Sequence, residues 1–229
     1  MIWDPHLYDA KHSYVAREAA DLIDVLQPKP GERILDAGSG TGNLTALIAA
    51  TGALVHGIDK SPEMVARARE RHPEVHFEEA DIVTFDPPHE FEAVFSNAAL
   101  HWVTSPDAAV QTIAKSLRRG GRLVAEFGGK GNCAAVIEAI GIPCPWYFPT
   151  IGEYGGVLER HGFELRQASL FDRPTRLEDG AAGLRGWIRM FGPDWEIPDD
   201  IEDRLRSRLW REGSWWIDYR RLRIQAVRL

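Results

Sequence analysis

Short apolar runs alternate with longer stretches whose apolar positions recur every three or four residues, from Glu32 through to about Phe127. The short runs, Arg33 to Asp36, Ala53 to Asp59, Val75 to Glu79, Phe91 to Ser96 and Arg122 to Phe127, predict strands. The intervening stretches predict helices. Leu44, Leu47 and Ile48 line one face after a glycine turn, Ser61 caps a helix with Pro62 in its first turn, and Asp107 to Leu117 ends at Arg118-Arg119-Gly120-Gly121. An earlier helix, Ala16 to Leu26, follows from Val15, Ala19, Leu22, Ile23 and Leu26, with Pro28 as its stop. Beyond Gly128 the pattern loosens into a short helix at Ala134 to Ile140 and an aromatic, proline-stiffened loop at Pro143 to Pro149. A helix capped by Thr150 then runs through His161, and Phe163 to Phe171 predicts a sixth strand. Two helical patterns follow, around Leu177 to Met190 and Asp199 to Trp210. Leu222, Ile224 and Ala226 then alternate with polar positions in a closing strand.

This order predicts an α/β fold, a doubly wound, mostly parallel seven-stranded sheet of Rossmann-like type carrying a helical cap. The expected organisation is a single domain over residues 1–229. Residues 1–30 form a lid segment and helix, 31–127 the ligand-binding core, and 128–229 a second half with its cap at about 174–213 and its closing strand. The cap stretch reads as too polar for a core of its own.

Composition narrows the function classes. The 229 residues carry a formal net charge of −7, with Lys and Arg scattered until a basic C-terminal run, so no nucleic-acid partner is expected. Cys133 and Cys144 lack a Cys-x-x-Cys spacing, and no metal is expected. The opening MIWDPHLYDA has acids and a proline where a signal peptide has a basic end and an apolar run. No stretch approaches the roughly 18 apolar residues of a membrane span. A soluble, cytoplasmic protein, monomer or homodimer, is the expectation.

The candidate chemistry gathers at the C-terminal ends of the predicted strands, where open α/β sheets bind ligands. Gly38-x-Gly40-x-Gly42 follows Asp36 and opens a helix, a geometry that lets a ligand approach bare backbone amides. Asn43 stands where the third glycine of a dinucleotide fingerprint would fall, and a carboxylate such as Asp36 gives a phosphate nothing. A nucleoside-type cofactor without phosphates fits better. Asp59, Asp81 and Asn97 end three later strands.

The runs LDAGSGTG, GIDKSPEMVARAR, EEADIVTF, FEAVFSNAALHW and GGRLVAEF, in that order, resemble the class I S-adenosylmethionine-dependent methyltransferases. Within them the chain is most similar to the branch of trans-aconitate and malonyl-carrier-protein methyltransferases. The resemblance is specific over roughly residues 30 to 127 and looser elsewhere. It implies S-adenosylmethionine as cofactor, with Gly38 and Gly40 against its methionine part and Asp36 near its amino group. It also implies Asp59 on the ribose, Asp81 and the Ile82 amide on the adenine, Lys60 and Ile82 sandwiching the base, and Asn97 near the sulfonium. Tyr8, His12 and Tyr14 would close over the cofactor from the N-terminal segment.

The acceptor is a small molecule on this reading, with carboxylate O-methylation favoured. Anchors for it would come from His6, Lys130 and Arg189, and walls from Trp146, Tyr147 and Trp187. A hydroxyl, amine or carbon acceptor would instead call for a base, His101 or His12. His101 also reads as a packed histidine beside Trp102. A nicotinamide-dependent oxidoreductase and a non-catalytic cofactor-binding module remain as alternatives.

Overall fold

The computed structural model describes residues 20–192 and 194–229; the predicted site residues His6, Tyr8, His12 and Tyr14 lie outside these. The chain runs through α1 (Ala20–Leu26), β1 (Arg33–Ala37), α2 (Asn43–Ala49), β2 (Leu54–Asp59), α3 (Pro62–Arg71), β3 (His76–Glu79) and β4 (Phe91–Asn97). A 3₁₀ turn (Leu100–Trp102), α4 (Pro106–Ser116), β5 (Leu117–Gly128), α5 (Ala134–Ile140), α6 (Ile151–Arg160) and β6 (Phe163–Asp172) follow. The last elements are β7 (Thr175–Arg176), α7 (Gly183–Phe191), α8 (Ile201–Leu209), β8 (Trp210–Arg211), β9 (Ser214–Ile217) and β10 (Arg220–Arg228).

Seven strands form one sheet in the order β3-β2-β1-β4-β5-β10-β6. Neighbours from β3 to β5 pair in parallel, whereas β10 inserts antiparallel between β5 and β6. Side chains alternate across the sheet, so consecutive residues serve different layers. Leu35, Val94, Leu222, Ile224 and Ala226 pack with α4 and α6 on one face. Ile34, Ala93, Phe95 and Val124 pack with Leu22 and Leu26 of α1 and Ile48 of α2 on the other.

Local capping follows the sequence. The Ser61 hydroxyl accepts the Met64 amide, with Pro62 in the first helical turn. Thr150 and Glu153 form a reciprocal capping box at the start of α6.

Two expectations need correction. The Arg118-Arg119-Gly120-Gly121 run does not separate helix from strand. It lies inside β5, whose pairing with β4 shifts register between Phe91 and Ala93. The stretch after β6 is not too polar for a core. Leu184, Trp187, Ile188, Ile201, Leu205, Leu209, Trp215 and Ile217 bury themselves with Trp146 and Val136 as a second cluster. Its arginines hide this in the sequence, because long cationic side chains cover apolar surface while their heads stay outside. Arg206 lies over the rings of Trp210 and Trp215 in this way. Among the described residues, no helix is long and apolar enough to cross a membrane.

Candidate active site

A cavity opens where the parallel strands end. It is lined on the sheet side by Gly38, Gly40, Asp59, Lys60, Asp81, Ile82 and Asn97, and on the other by His101, Trp102, Trp146, Phe148, Trp187, Phe191, Tyr219 and Arg221.

The glycine turn works differently from the sequence expectation of bare amides. The amides of Gly38 and Ser39 both donate to the Ile58 carbonyl, at 2.8 and 2.9 Å, and that of Gly42 donates to the Ser39 carbonyl. The Gly40 amide donates to Asp59 Oδ2 at 3.0 Å. With these donors consumed, the turn offers a ligand close approach to backbone and no nest for a phosphate. The glycines are needed for separate reasons. A Cβ on Gly38 would stand 2.2 Å from the Ala99 Cβ, and one on Gly42 would stand 2.6 Å from the Phe77 ring. Gly40 has nothing within 4 Å of its Cβ position and lines the cavity, so its open side is ligand space. All three have positive φ.

Three carboxylates sit around this turn, each fixed differently. Asp36 is buried beneath it, does not line the cavity, and accepts the Thr45 hydroxyl at 2.7 Å. Burial pushes its pKa up from 3.8 to about 7, the Thr45 bond opposes this, and the nearby Asp59 charge adds to it. Asp59 takes the Ser61 amide on Oδ1 at 2.9 Å and the Gly40 amide on Oδ2. Burial raises its pKa as well, against those hydrogen bonds. Each of its oxygens retains a lone pair for a ligand hydroxyl. Asp81 is exposed at the cavity rim and turns the chain by accepting the Val83 amide on its side chain.

After β4, Ala98 adopts a left-handed conformation (φ 56°), a strain of about 1 kcal/mol that swings the chain into the 3₁₀ turn carrying His101. The His101 ring is buried, and its Nδ1 accepts the Gly128 amide at 3.3 Å. Its proton therefore resides on Nε2. Burial, seconded by the Arg221 charge, drives its pKa down to about 3. The ring is a neutral hydrogen-bond donor and a poor base, which tells against the expectation of base catalysis by His101; the other expected base, His12, lies outside the described residues.

Of the described residues expected at the acceptor, Trp146 and Trp187 line the cavity, whereas Lys130, Tyr147 and Arg189 do not. Lys130 and Arg189 are exposed. Tyr147 turns toward the main core, beside Tyr154. Sequence reasoning missed Phe148, Phe191, Tyr219 and Arg221. Tyr219 is tied to the cap by the Trp187 indole, which donates to its hydroxyl at 2.7 Å. The adjacency of Pro149 and the aromatic run around Trp146 was a signal for Phe148; Arg221 had none, being one arginine of several in its strand. His56, His76 and Glu78 bring ligating atoms within 4.8 Å of one another, but they do not line the cavity. Cys133 and Cys144 are both free.

Comparison with known proteins bears on this arrangement directly. A family model described as a methyltransferase domain matches residues 34–121. An uncharacterized methyltransferase of Schizosaccharomyces pombe is 29% identical over 98% of this chain and 97% of its own. The trans-aconitate 2-methyltransferase of Methylobacterium nodulans is 36% identical over 55% of this chain, a match spanning about half (49%) of that relative's length. The crystal structure of the YcgJ protein from Bacillus subtilis superimposes with a TM-score of 0.67 at 17% identity, covering 95% of this chain and 99% of its own, and so shares the fold. These matches identify methyl transfer rather than the nicotinamide-dependent alternative as the chemistry of the site. The glycine turn, the strand-end carboxylates and these matches lead to one assignment: the chain has the methyltransferase fold and is an S-adenosylmethionine-dependent methyltransferase, with S-adenosylmethionine as its methyl donor.

Proposed function

We propose that this enzyme methylates a carboxylate oxygen of a small organic acid. The observation that carries the reading is the state of His101. Among the described residues it is the one histidine that lines the cavity, and with Nδ1 occupied and its pKa near 3 it is unsuited to take a proton from an acceptor at neutral pH. An acceptor that needs no deprotonation suits such a wall. A carboxylate is already nucleophilic there, whereas a hydroxyl or ammonium would require a base. The names of the trans-aconitate relatives agree with an acid as acceptor.

The cofactor fits the sheet side of the cavity. Asp59 would take the ribose hydroxyls on its two remaining lone pairs, and Asp81 the adenine amine, with Lys60 and Ile82 bracketing the base. Gly40 would let the cofactor lie against backbone, and Asn97 would stand near the methionine part. Asp36, held away from the cavity, is a positioning residue that acts on the turn through Thr45. When bound, S-adenosylmethionine would supply a methyl carbon activated by its sulfonium, and an already ionised carboxylate would need no proton removed to accept it. The chain's own contribution is to align the reactants and keep water out, for which the Trp146, Phe148, Trp187 and Phe191 wall is suited.

Incubation with methyl-labelled S-adenosylmethionine and a set of organic acids including trans-aconitate tests this. The expected product is a methyl ester that releases its label as methanol in mild base. A base-stable product, or turnover restricted to hydroxyl or amine acceptors, sinks the carboxylate reading.

A further inference from the structure

Several arginines in and beside the sheet are paired with acids. Arg173 and Arg223 both reach the buried Glu126, Arg223 also reaches Asp21, Arg220 reaches Asp172, and Arg122 reaches Glu32. Arg221 is more buried than any of these, with 8% of its surface exposed, yet no carboxylate among the described residues pairs with it. Its guanidinium stacks over the Tyr219 ring at 4.6 Å and lines the cavity beside His101. A buried charge facing a cavity without a counter-ion is costly to the fold unless a ligand supplies the partner. The guanidinium fork matches a carboxylate through two parallel hydrogen bonds.

The position has a topological cause. Because β10 runs antiparallel to β5, its first residues lie at the edge where the parallel strands end, and Arg221 pairs with Gly128. Gly128 has no side chain to cover it; a Cβ there would stand 2.4 Å from the Phe148 ring. The same Gly128 amide fixes the His101 tautomer. One glycine thus ties together the cation and the neutral donor.

We propose that Arg221 is the anchor for a carboxylate of the methyl acceptor and sets the enzyme's preference for acids. The His101 Nε2–H is a second, neutral donor in the same wall, and Tyr219, locked by Trp187, holds the guanidinium in place. This rests on the carboxylate reading above. It assigns the recognition of charge to one residue on the cap side of the cavity, apart from the acids on the cofactor side.

The test uses protein loaded with S-adenosylhomocysteine and titrated calorimetrically with short mono-, di- and tricarboxylates, trans-aconitate among them, and with their carboxamide counterparts. The expected result is saturable binding of at least one acid, with its carboxamide at least roughly 10-fold weaker. Arg221→Met should weaken the acid by on the order of 10- to 100-fold while leaving S-adenosylhomocysteine affinity unchanged, and Arg221→Lys should fall between. The acid-against-carboxamide comparison in the unaltered protein keeps the test valid if Arg221→Met fails to fold. Equal binding of acid and carboxamide, no binding of any acid, or an unchanged acid affinity in Arg221→Met overturns the proposal. The parent reading fails separately: acids that bind through Arg221 but yield no methyl ester leave the anchor standing and remove the carboxylate as the methylated group. Ester formation indifferent to Arg221 does the reverse.

Discussion

Asp36→Asn isolates the electrostatic cost of building the glycine turn over a buried acid. In the native protein Asp36 holds its proton up to about pH 7, whereas in the unfolded chain it releases it near 3.8. Between those values the native state binds more protons than the unfolded state, so the contribution of Asp36 to stability is greatest at low pH. It is lost as pH rises toward 7 and is flat above. At about 1.4 kcal/mol per pH unit, the loss between about pH 5 and pH 8 integrates to about 2–3 kcal/mol. Asparagine keeps the shape and an acceptor for the Thr45 hydroxyl but cannot titrate. Urea denaturation of both proteins across this range should show the stability of wild type minus that of Asp36→Asn falling by about 2–3 kcal/mol from pH 5 to pH 8. Taking the difference cancels the titrating groups that do not interact with Asp36. Thr45→Val, which removes the hydrogen bond that holds the pKa down, should move the same fall to higher pH. A stability difference that stays constant with pH would refute the reasoning, because it would mean that Asp36 titrates alike in the native and unfolded chain.

Other predictions test the site from different sides. Gly38→Ala places a methyl group 2.2 Å from the Ala99 Cβ on a positive φ, and should cost about 2–4 kcal/mol in chemical denaturation. Gly40→Ala meets open space, so it should cost only about 1 kcal/mol of stability while weakening S-adenosylhomocysteine binding at least tenfold by calorimetry. In NMR titrations the His101 ring should show no protonation from about pH 8 down to about pH 5, because its pKa lies near 3; a midpoint near the ordinary histidine value would restore the base hypothesis. Trp215→Ala should destabilise the protein by about 3–5 kcal/mol, because its fully buried side chain anchors the second core and its indole donates to the Ala181 carbonyl.

Local rules made much of the molecule legible. Ser61 and Pro62 announce α3, and Thr150 with Glu153 announces α6, because a helix start is decided by a few neighbouring side chains and amides. The alternation Leu222, Ile224, Ala226 announces a strand with one buried face, since side chains in a strand alternate by geometry. Gly38, Gly40, Asp59, Asp81 and Asn97 were placed at one sheet edge by strand period alone, and the structure does bring them to one cavity. Where the glycine turn's amides donate was not legible. The amides of Gly38, Ser39 and Gly40 donate to the Ile58 carbonyl and the Asp59 carboxylate on a neighbouring strand, which no local pattern specifies.

What the sequence determined by itself is therefore most elements of the main sheet and its flanking helices, the cofactor edge and the resemblance to methyltransferases, all of which rest on short-range periods and ordered motifs. What only the tertiary structure decided is the acceptor side. Which of several arginines faces the cavity depends on the direction in which β10 enters the sheet, and reversing that strand would carry Arg221 to the opposite edge. The protonation of His101 likewise depends on Gly128, 27 positions away in the chain, whose amide reaches the ring only once β5 and the 3₁₀ turn have packed together. Strand direction and burial belong to long-range packing, and so does the chemistry that depends on them.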